Sequence, residues 1–223
     1  MRSFKLPSGL CLAILGLAVA SPVCLAQAGA APATAPAVTA PVAGPAAPVT
    51  TLYARLTEME RSHGSFAQRV QLLTPTVDRV FNLQTVLQNS LGLRYRTLPD
   101  AQKQQLLEQF RQFTVARYVS NFAAGGSEQF KVEPAATPSP VPGDQIVHTQ
   151  IVSGSTSTPI SYVMRQNAGG SAGGDWQVVD VLLNGNISQV AVQRADFGSS
   201  LTSGDATPLI ESLRKKTQAF SDS

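Results

Sequence analysis

The period of the hydrophobic pattern changes near the middle of this chain, and that change narrows the folds open to it. Before Gly125 and Gly126, apolar residues recur three and four positions apart, as on one face of a helix. After them, short runs rich in Val, Ile, Tyr and Trp alternate with turn residues, at separations too short for the crossovers that parallel strands need. The sequence therefore predicts an α+β fold, in which N-terminal helices and a C-terminal helix pack on one curved antiparallel sheet of four to five strands.

Helical spacing predicts four helices. The apolar pattern runs through 52–59, 74–92, 100–122 and 207–216, and Thr74–Pro75 is typical of a helix start. The third helix is the longest and ends at the glycine pair. The fourth is short and carries its basic residues in its last turns, where they are expected to complement the helix dipole.

The second half of the domain predicts strands joined by turns. The strands are Gln129–Glu133, Gln145–Ser153, Ile160–Gln166, Asp175–Leu183 and Ile187–Gln193. Asn184, Gly185 and Asn186 predict a tight hairpin, and the glycine-rich segment 167–174 predicts a longer loop.

Residues 1–26 have the order of a secretory signal peptide. Arg2 and Lys5 precede an apolar run at 10–20, and small residues follow at the cleavage position. We therefore predict export to the periplasm of a bacterium, with cleavage after Ala26 or one of the alanines just beyond it. A lipid anchor on Cys24 is the alternative.

Composition separates this leader from the domain. Residues 27–49 are almost entirely Ala, Pro, Val, Thr and Gly without charge, which predicts a flexible tether, and 50–223 is a suitable length for a single domain. Because Cys11 and Cys24 both lie in the leader, the domain is expected to have neither a disulfide nor a thiolate metal site.

The charge balance argues against a nucleic-acid partner. Without Arg2 and Lys5, the 17 basic residues fall to 15, against 14 acidic ones. A nucleic-acid binder needs a basic stripe to neutralise phosphates, and the one basic cluster is 214–216.

Few residues are suited to catalysis. Neither His63 nor His148 has a metal-ligand spacing, and no nucleophile-elbow, phosphate-loop or dinucleotide motif is present. Asp175 or Asp180, which flank Trp176, is the alternative as the buried base of a small enzyme with an NTF2-like cone fold. An adaptor domain without a ligand is a further alternative, and we expect no cofactor.

The C-terminal hairpin resembles a known family. Residues 175–188 are similar to the Trp-x-Val-x-Asp-Val-x-x-Asn/Asp-Gly-x-Ser hairpin of MlaC-type periplasmic phospholipid-binding proteins, the toluene-tolerance auxiliary family. The likeness also covers, in the family's order, 80–83, 92–95, 106–122, 193–197 and 209–213. Departures are Tyr95, where many members have Trp, and Asn186. Residues 81–83 and 113–116 resemble the hopanoid-associated HpnM branch.

What this resemblance implies is a lipid carrier without enzymatic activity, in which 50–223 is a single lipid-binding domain that encloses an apolar cavity between helices and sheet. Its cargo is phospholipid or hopanoid, and its partners are an inner-membrane ABC-transporter complex with a substrate-binding subunit and an outer-membrane lipoprotein complex. Trp176 is expected either as a lid on the lipid tails or as a core anchor of the hairpin, and Arg94 and Arg165 either as head-group contacts or as surface residues. The lipid-binding residues expected on this basis are Phe81, Leu87, Phe110, Phe113, Tyr118, Tyr162, Trp176, Val178 and Val181.

Overall fold

Helices and an antiparallel sheet follow one another in the order that the hydrophobic period predicts. The computed structural model describes residues 44–167, 175–201 and 204–222, which lie within the unit Thr39–Ser223. The helices of these ranges are α1 Ala46–Arg61, α2 Phe66–Val80, α3 Leu83–Leu91, α4 Leu93–Arg96, α5 Asp100–Asn121, α6 Gln189–Gly198 and α7 Thr207–Ser221. The strands are β1 Gln129–Val132, β2 Thr137–Pro138, β3 Gln145–Ser153, β4 Thr156–Gln166, β5 Trp176–Leu183 and β6 Ile187–Ser188. The predicted α+β fold is confirmed.

The first helix begins at Ala46, a few residues before the predicted end of the tether. Ala46 and Val49 are buried, and they continue the apolar stripe of Leu52 and Leu56 toward the N-terminus. Small alanines do not interrupt a helix, and Pro48 lies in the first turn, where a missing N–H costs nothing.

The predicted helix start at Thr74–Pro75 is wrong, because this dipeptide lies inside α2. The helix begins instead at a capping box, in which Ser65 Oγ accepts the Gln68 N–H at 3.3 Å and Gln68 Oε1 accepts the Ser65 N–H at 2.8 Å. Phe81 and the N-cap residue Asn82 then separate α2 from α3.

The strands form one open antiparallel sheet of six strands in the order β1-β3-β4-β5-β6, with β2 also paired to β3. The predicted β3 is confirmed at both ends, whereas β4 begins earlier, at Thr156, and the two-residue β2 was not predicted. The predicted hairpin forms with Asn184 and Gly185 both at positive φ, as a type I′ turn requires.

The predicted strand Ile187–Gln193 is wrong beyond Ser188, where α6 begins. Ser188 Oγ accepts the Ala191 N–H at 3.0 Å, and Asp180 on β5 accepts the Val190 N–H at 3.1 Å. These two acceptors satisfy N–H groups that a helix start leaves open, so the alternating sequence adopts a helix.

The last helix is longer than predicted and ends at Ser221. The basic residues 214–216 therefore lie in its middle, and the interpretation that they complement the helix dipole is wrong. Arg214 pairs instead with Glu211 one turn earlier, at 2.5 Å. No helix in the described part of the chain is both long enough and apolar enough to cross a membrane.

Candidate functional site: an apolar cavity

A cavity of about 250 Å³ lies between the helices α3, α5 and α6 and the strands β3 to β5. In the described part of the chain twenty residues line this cavity, and fourteen of them are aliphatic or aromatic. They are Phe81, Leu83, Val86, Phe110, Phe113, Tyr118, Phe122, Ile151, Ile160, Tyr162, Val178, Val181, Leu183 and Val190. The six polar wall residues are Thr114, Arg117, Asn121, Asp180, Gln189 and Gln193.

Seven of the nine residues expected to bind lipid lie together on this wall: Phe81, Phe110, Phe113, Tyr118, Tyr162, Val178 and Val181. Leu87 is fully buried in the core and does not reach the cavity. Trp176 is half-buried and lines a separate surface depression beside the start of α1. It packs against the core there, which agrees with a hairpin anchor and not with a lid on this cavity.

A β-bulge places two of these residues on the same side of the sheet. Val163 pairs with Asp180 but Met164 pairs with Val178, so Val179 is an extra residue on β5. Without the bulge, Val178 and Val181 would face opposite sides, because successive side chains alternate along a strand. Phe81 extends this edge through a bridge to Val178, and the Asn82 N–H donates to the Val178 carbonyl at 3.0 Å.

Three tyrosines bring hydroxyl groups into this apolar surrounding. Burial raises the pKa of Tyr162 well above its usual value, and the neighbouring Tyr118 and Tyr53 raise it further. Burial also raises the pKa values of Tyr118 and Tyr53. The Tyr53 hydroxyl lies 2.6 Å from Thr149 Oγ1, which donates to the Ile160 carbonyl at 2.7 Å. The hydroxyls are therefore neutral at physiological pH and add no charge to the wall.

Asp180 is the acidic residue of the wall, and hydrogen bonds occupy both its carboxylate oxygens. Oδ1 accepts the Val181 and Val190 N–H groups at 2.7 and 3.1 Å, and Oδ2 accepts the Ser188 hydroxyl at 2.5 Å. This carboxylate joins β5 to β6 and α6, which is a structural task. Asp175 is exposed and is not on the wall.

The remaining groups considered for chemistry are held in ordinary structural contacts. His148 lies on β3 with its ring nitrogens 2.9 Å from Thr137 Oγ1 and 3.0 Å from Ser161 Oγ. Arg165 forms a two-bond ion pair with the buried Asp144, and Arg94 donates to the Gly198 carbonyl at 2.9 Å. Within 44–167, 175–201 and 204–222, no three His, Cys, Asp or Glu residues cluster as metal ligands.

Arg117, Asn121, Gln189 and Gln193 form a polar group on the wall that the sequence did not predict. Arg117 Nη2 on α5 donates to Gln189 Oε1 on α6 at 3.0 Å. Gln193, one turn further along α6, accepts the Ser90 hydroxyl at 2.8 Å. The strand predicted at 187–193 hid this arrangement, because it placed Gln189 and Gln193 on a sheet.

Comparison with known proteins identifies this architecture. The structure is similar to that of a phospholipid-binding protein from Ralstonia solanacearum in complex with a phospholipid, with a TM-score of 0.66, 16% sequence identity and coverage of 80% of this chain and 99% of that chain. A comparison of the sequence with curated proteins finds no match. The family model described as MlaC protein matches residues 48–215, which is most of the chain. The protein therefore belongs to the MlaC family.

Proposed function

We propose that this protein is a periplasmic lipid carrier that holds acyl chains in the apolar cavity and moves phospholipid or hopanoid between membrane complexes. One complex is an inner-membrane ABC transporter with its substrate-binding subunit, and the other contains an outer-membrane lipoprotein. The observation that carries this proposal is a cavity between helices and sheet with fourteen apolar wall residues. Membership of the MlaC family, and the phospholipid bound to the R. solanacearum protein, support it.

The hydrophobic effect explains why such a carrier is needed. Each methylene group that leaves water gains about 0.8 kcal/mol, so a chain of roughly 16 carbons costs about 13 kcal/mol to expose. An apolar wall removes most of this cost without covalent chemistry, which agrees with an acidic wall residue whose oxygens are all engaged. The cavity of about 250 Å³ is slightly smaller than common ligand pockets of roughly 300–1,000 Å³. We therefore expect the cavity to widen when a complete lipid enters.

Filling the cavity tests this proposal. Val181 lies on the wall beside Tyr162, its cross-strand neighbour on β4, and is half-buried, so Val181→Trp directs an indole into the space. We expect the lipid recovered per protein to fall at least about tenfold, because displacing two methylene groups already costs about 1.6 kcal/mol. The measurement is extraction and mass spectrometry of the lipid that co-purifies without detergent.

The adjacent residue provides a matched control. Leu182 pairs with Ser161 and Ser188 and does not line the cavity, so Leu182→Trp adds the same ring to the same strand on the other side. This variant should keep its lipid. If Val181→Trp unfolds like the wild type in urea and still carries as much lipid, the cavity is not the binding site.

A further inference from the structure

We propose that helix α6 is the lid of the cavity. It rolls away from α3 and α5 when a lipid enters or leaves, and two side-chain hydrogen bonds, from Arg117 to Gln189 and from Ser90 to Gln193, hold it closed. We call these two bonds the latch. This inference rests on the proposed carrier function and adds to it the element that controls access to the cavity.

The wall has to move before the cavity can take a complete lipid, because its volume of about 250 Å³ is below the roughly 300–1,000 Å³ of common ligand pockets. The sheet side of the wall is held by backbone hydrogen bonds. Strand β4 pairs with β3 from Thr156 to Met164 and with β5 from Ile160 to Gln166. A strand leaves such a ladder only when several bonds break together, so the opening is expected among the helices.

The three helices on the wall differ in how firmly the core holds them. Helix α5 buries six residues and α3 buries four, whereas α6 buries only Val190 and Phe197. Burial of apolar surface is the main force that keeps an element in place, and elements with few buried apolar contacts open first. Helix α6 is therefore the helix of the wall that moves most easily.

Val190 and Phe197 define the line about which α6 rolls. They lie seven residues apart, which is about two turns, so both side chains leave the helix on the same face. The Asp180 carboxylate accepts the Val190 N–H at 3.1 Å and keeps the start of the helix at the sheet. Gln189 and Gln193 lie one turn apart on one flank of this line, and their bonds show that this flank faces α5 and α3. A roll that keeps both apolar contacts therefore separates this flank from α5 and α3.

The latch consists of polar bonds that can exchange with water. Arg117 Nη2 donates to Gln189 Oε1 at 3.0 Å, and the Ser90 hydroxyl donates to Gln193 Oε1 at 2.8 Å. Arg117 and both glutamines are half-buried, so water replaces their lost partners at a small net change in free energy. The buried Ser90 hydroxyl also donates to the Val86 carbonyl at 2.8 Å, so it keeps an acceptor when Gln193 leaves. The latch therefore opens without leaving a buried polar group unpaired.

The test joins α6 to α3 by a reducible bridge. Asn89 and Arg194 are exposed and do not line the cavity, and Arg194 Nη2 donates to the Asn89 carbonyl at 2.6 Å. Both cysteines of the chain lie before residue 44, so the domain with Asn89→Cys and Arg194→Cys carries one thiol pair. A bifunctional thiosulfonate reagent bridges this pair, and dithiothreitol releases it. The assay follows the transfer of pyrene-labelled phosphatidylglycerol from the loaded protein to phosphatidylcholine vesicles.

We expect the bridged protein to release lipid at least about tenfold more slowly than the same protein after reduction, because opening of the lid limits the rate. The control bridge joins Asp78→Cys on α2 to Arg111→Cys on α5, where the native side chains form an ion pair at 2.6 Å, and it leaves α6 free. Its release rate should not change on reduction. Ser90→Ala removes one bond of the latch and should release lipid faster than the wild type. Thr50→Ala removes a similar bond from a hydroxyl to a helix carbonyl, far from the latch in α1, and should not.

The outcomes separate the lid from the carrier function. Equal release before and after reduction of the bridge at Asn89 and Arg194 would overturn the lid and leave the carrier function standing. Unchanged release in Ser90→Ala would also overturn it. A control bridge that slows release as strongly would assign the motion to the helical layer as a whole and overturn the role of α6. A reduced protein that takes up no lipid would contradict the carrier function itself.

Discussion

The carboxyl group of Glu60 near the end of α1 makes stability depend on pH in a direction that is unusual for an acidic residue. Glu60 is only 3% exposed. Burial, together with the hydrogen bond and the negative charge of Glu128, raises its pKa to about 7 against the opposing effect of Arg61. The two carboxyl groups meet beside Gly126, where a Cβ atom would lie 3.1 Å from Glu60 Cδ. A proton held by Glu60 therefore stabilises the fold.

The sign and size of the effect follow from this pKa. The folded state binds the proton more tightly than the unfolded chain, so the stabilisation is complete below about pH 4.5 and is lost as the pH rises through about 7. Each tenfold difference in proton affinity corresponds to about 1.4 kcal/mol, so the whole titration corresponds to at most about 3 kcal/mol. Water screens the pair at the half-exposed Glu128, so we expect about 1–2 kcal/mol between pH 5 and pH 8.

Urea denaturation followed by circular dichroism at pH 5 and pH 8 measures this difference for the wild type and for Glu60→Gln. The variant keeps a neutral side chain of similar shape at both pH values. The decrease in its free energy of unfolding from pH 5 to pH 8 should therefore be about 1–2 kcal/mol smaller than the decrease for the wild type. Glu58→Gln is the control, because Glu58 is exposed and pairs with Arg55 on the surface. Equal pH dependence of the wild type and Glu60→Gln would refute the reasoning.

Two further variants test the hydrogen bonds at the start of α6 and the turn of the hairpin before it. Asp180→Ala leaves the Val190 N–H and the Ser188 hydroxyl without their acceptor, so the free energy of unfolding should fall by about 2–3 kcal/mol, whereas Asp175→Ala at an exposed position should change it little. An equal loss in both variants would contradict the assigned structural task. Gly185 has a φ of 78°, so Gly185→Ala should cost about 1 kcal/mol in the same urea titration, and an unchanged midpoint would argue against the type I′ turn.

Local signals in the sequence predicted the elements that are stabilised locally. The predicted start of the long helix at residue 100 agrees with the start of α5, and both ends of β3 follow from its apolar pattern and turns. The hairpin at Asn184 and Gly185 follows from the need for positive φ at both residues. These features depend on residues that are neighbours in the chain.

Several errors concern features that depend on distant residues, whereas the start of α2 was missed although its capping box, Ser65 and Gln68, is local. The start of α6 needs Asp180, which lies ten residues before the Val190 N–H that it accepts. Val178 and Val181 share one wall only because of the bulge at Val179, which simple alternation does not predict. Arg117 is half-buried on a long helix. Its place on the wall depends on its contact with Gln189 on α6, and the sequence predicted a strand there. Membership of the MlaC family, by contrast, was indicated by short motifs in a fixed order and is confirmed.

Native mass spectrometry of the wild type, purified without detergent and followed by lipid extraction, tests the carrier function most directly. We predict a folded protein whose mass exceeds that of the polypeptide by about one lipid, with phospholipid in the extract. Hopanoid in the extract would keep the carrier function and identify hopanoid as the cargo. A folded, monodisperse protein with the mass of the polypeptide alone would contradict the account.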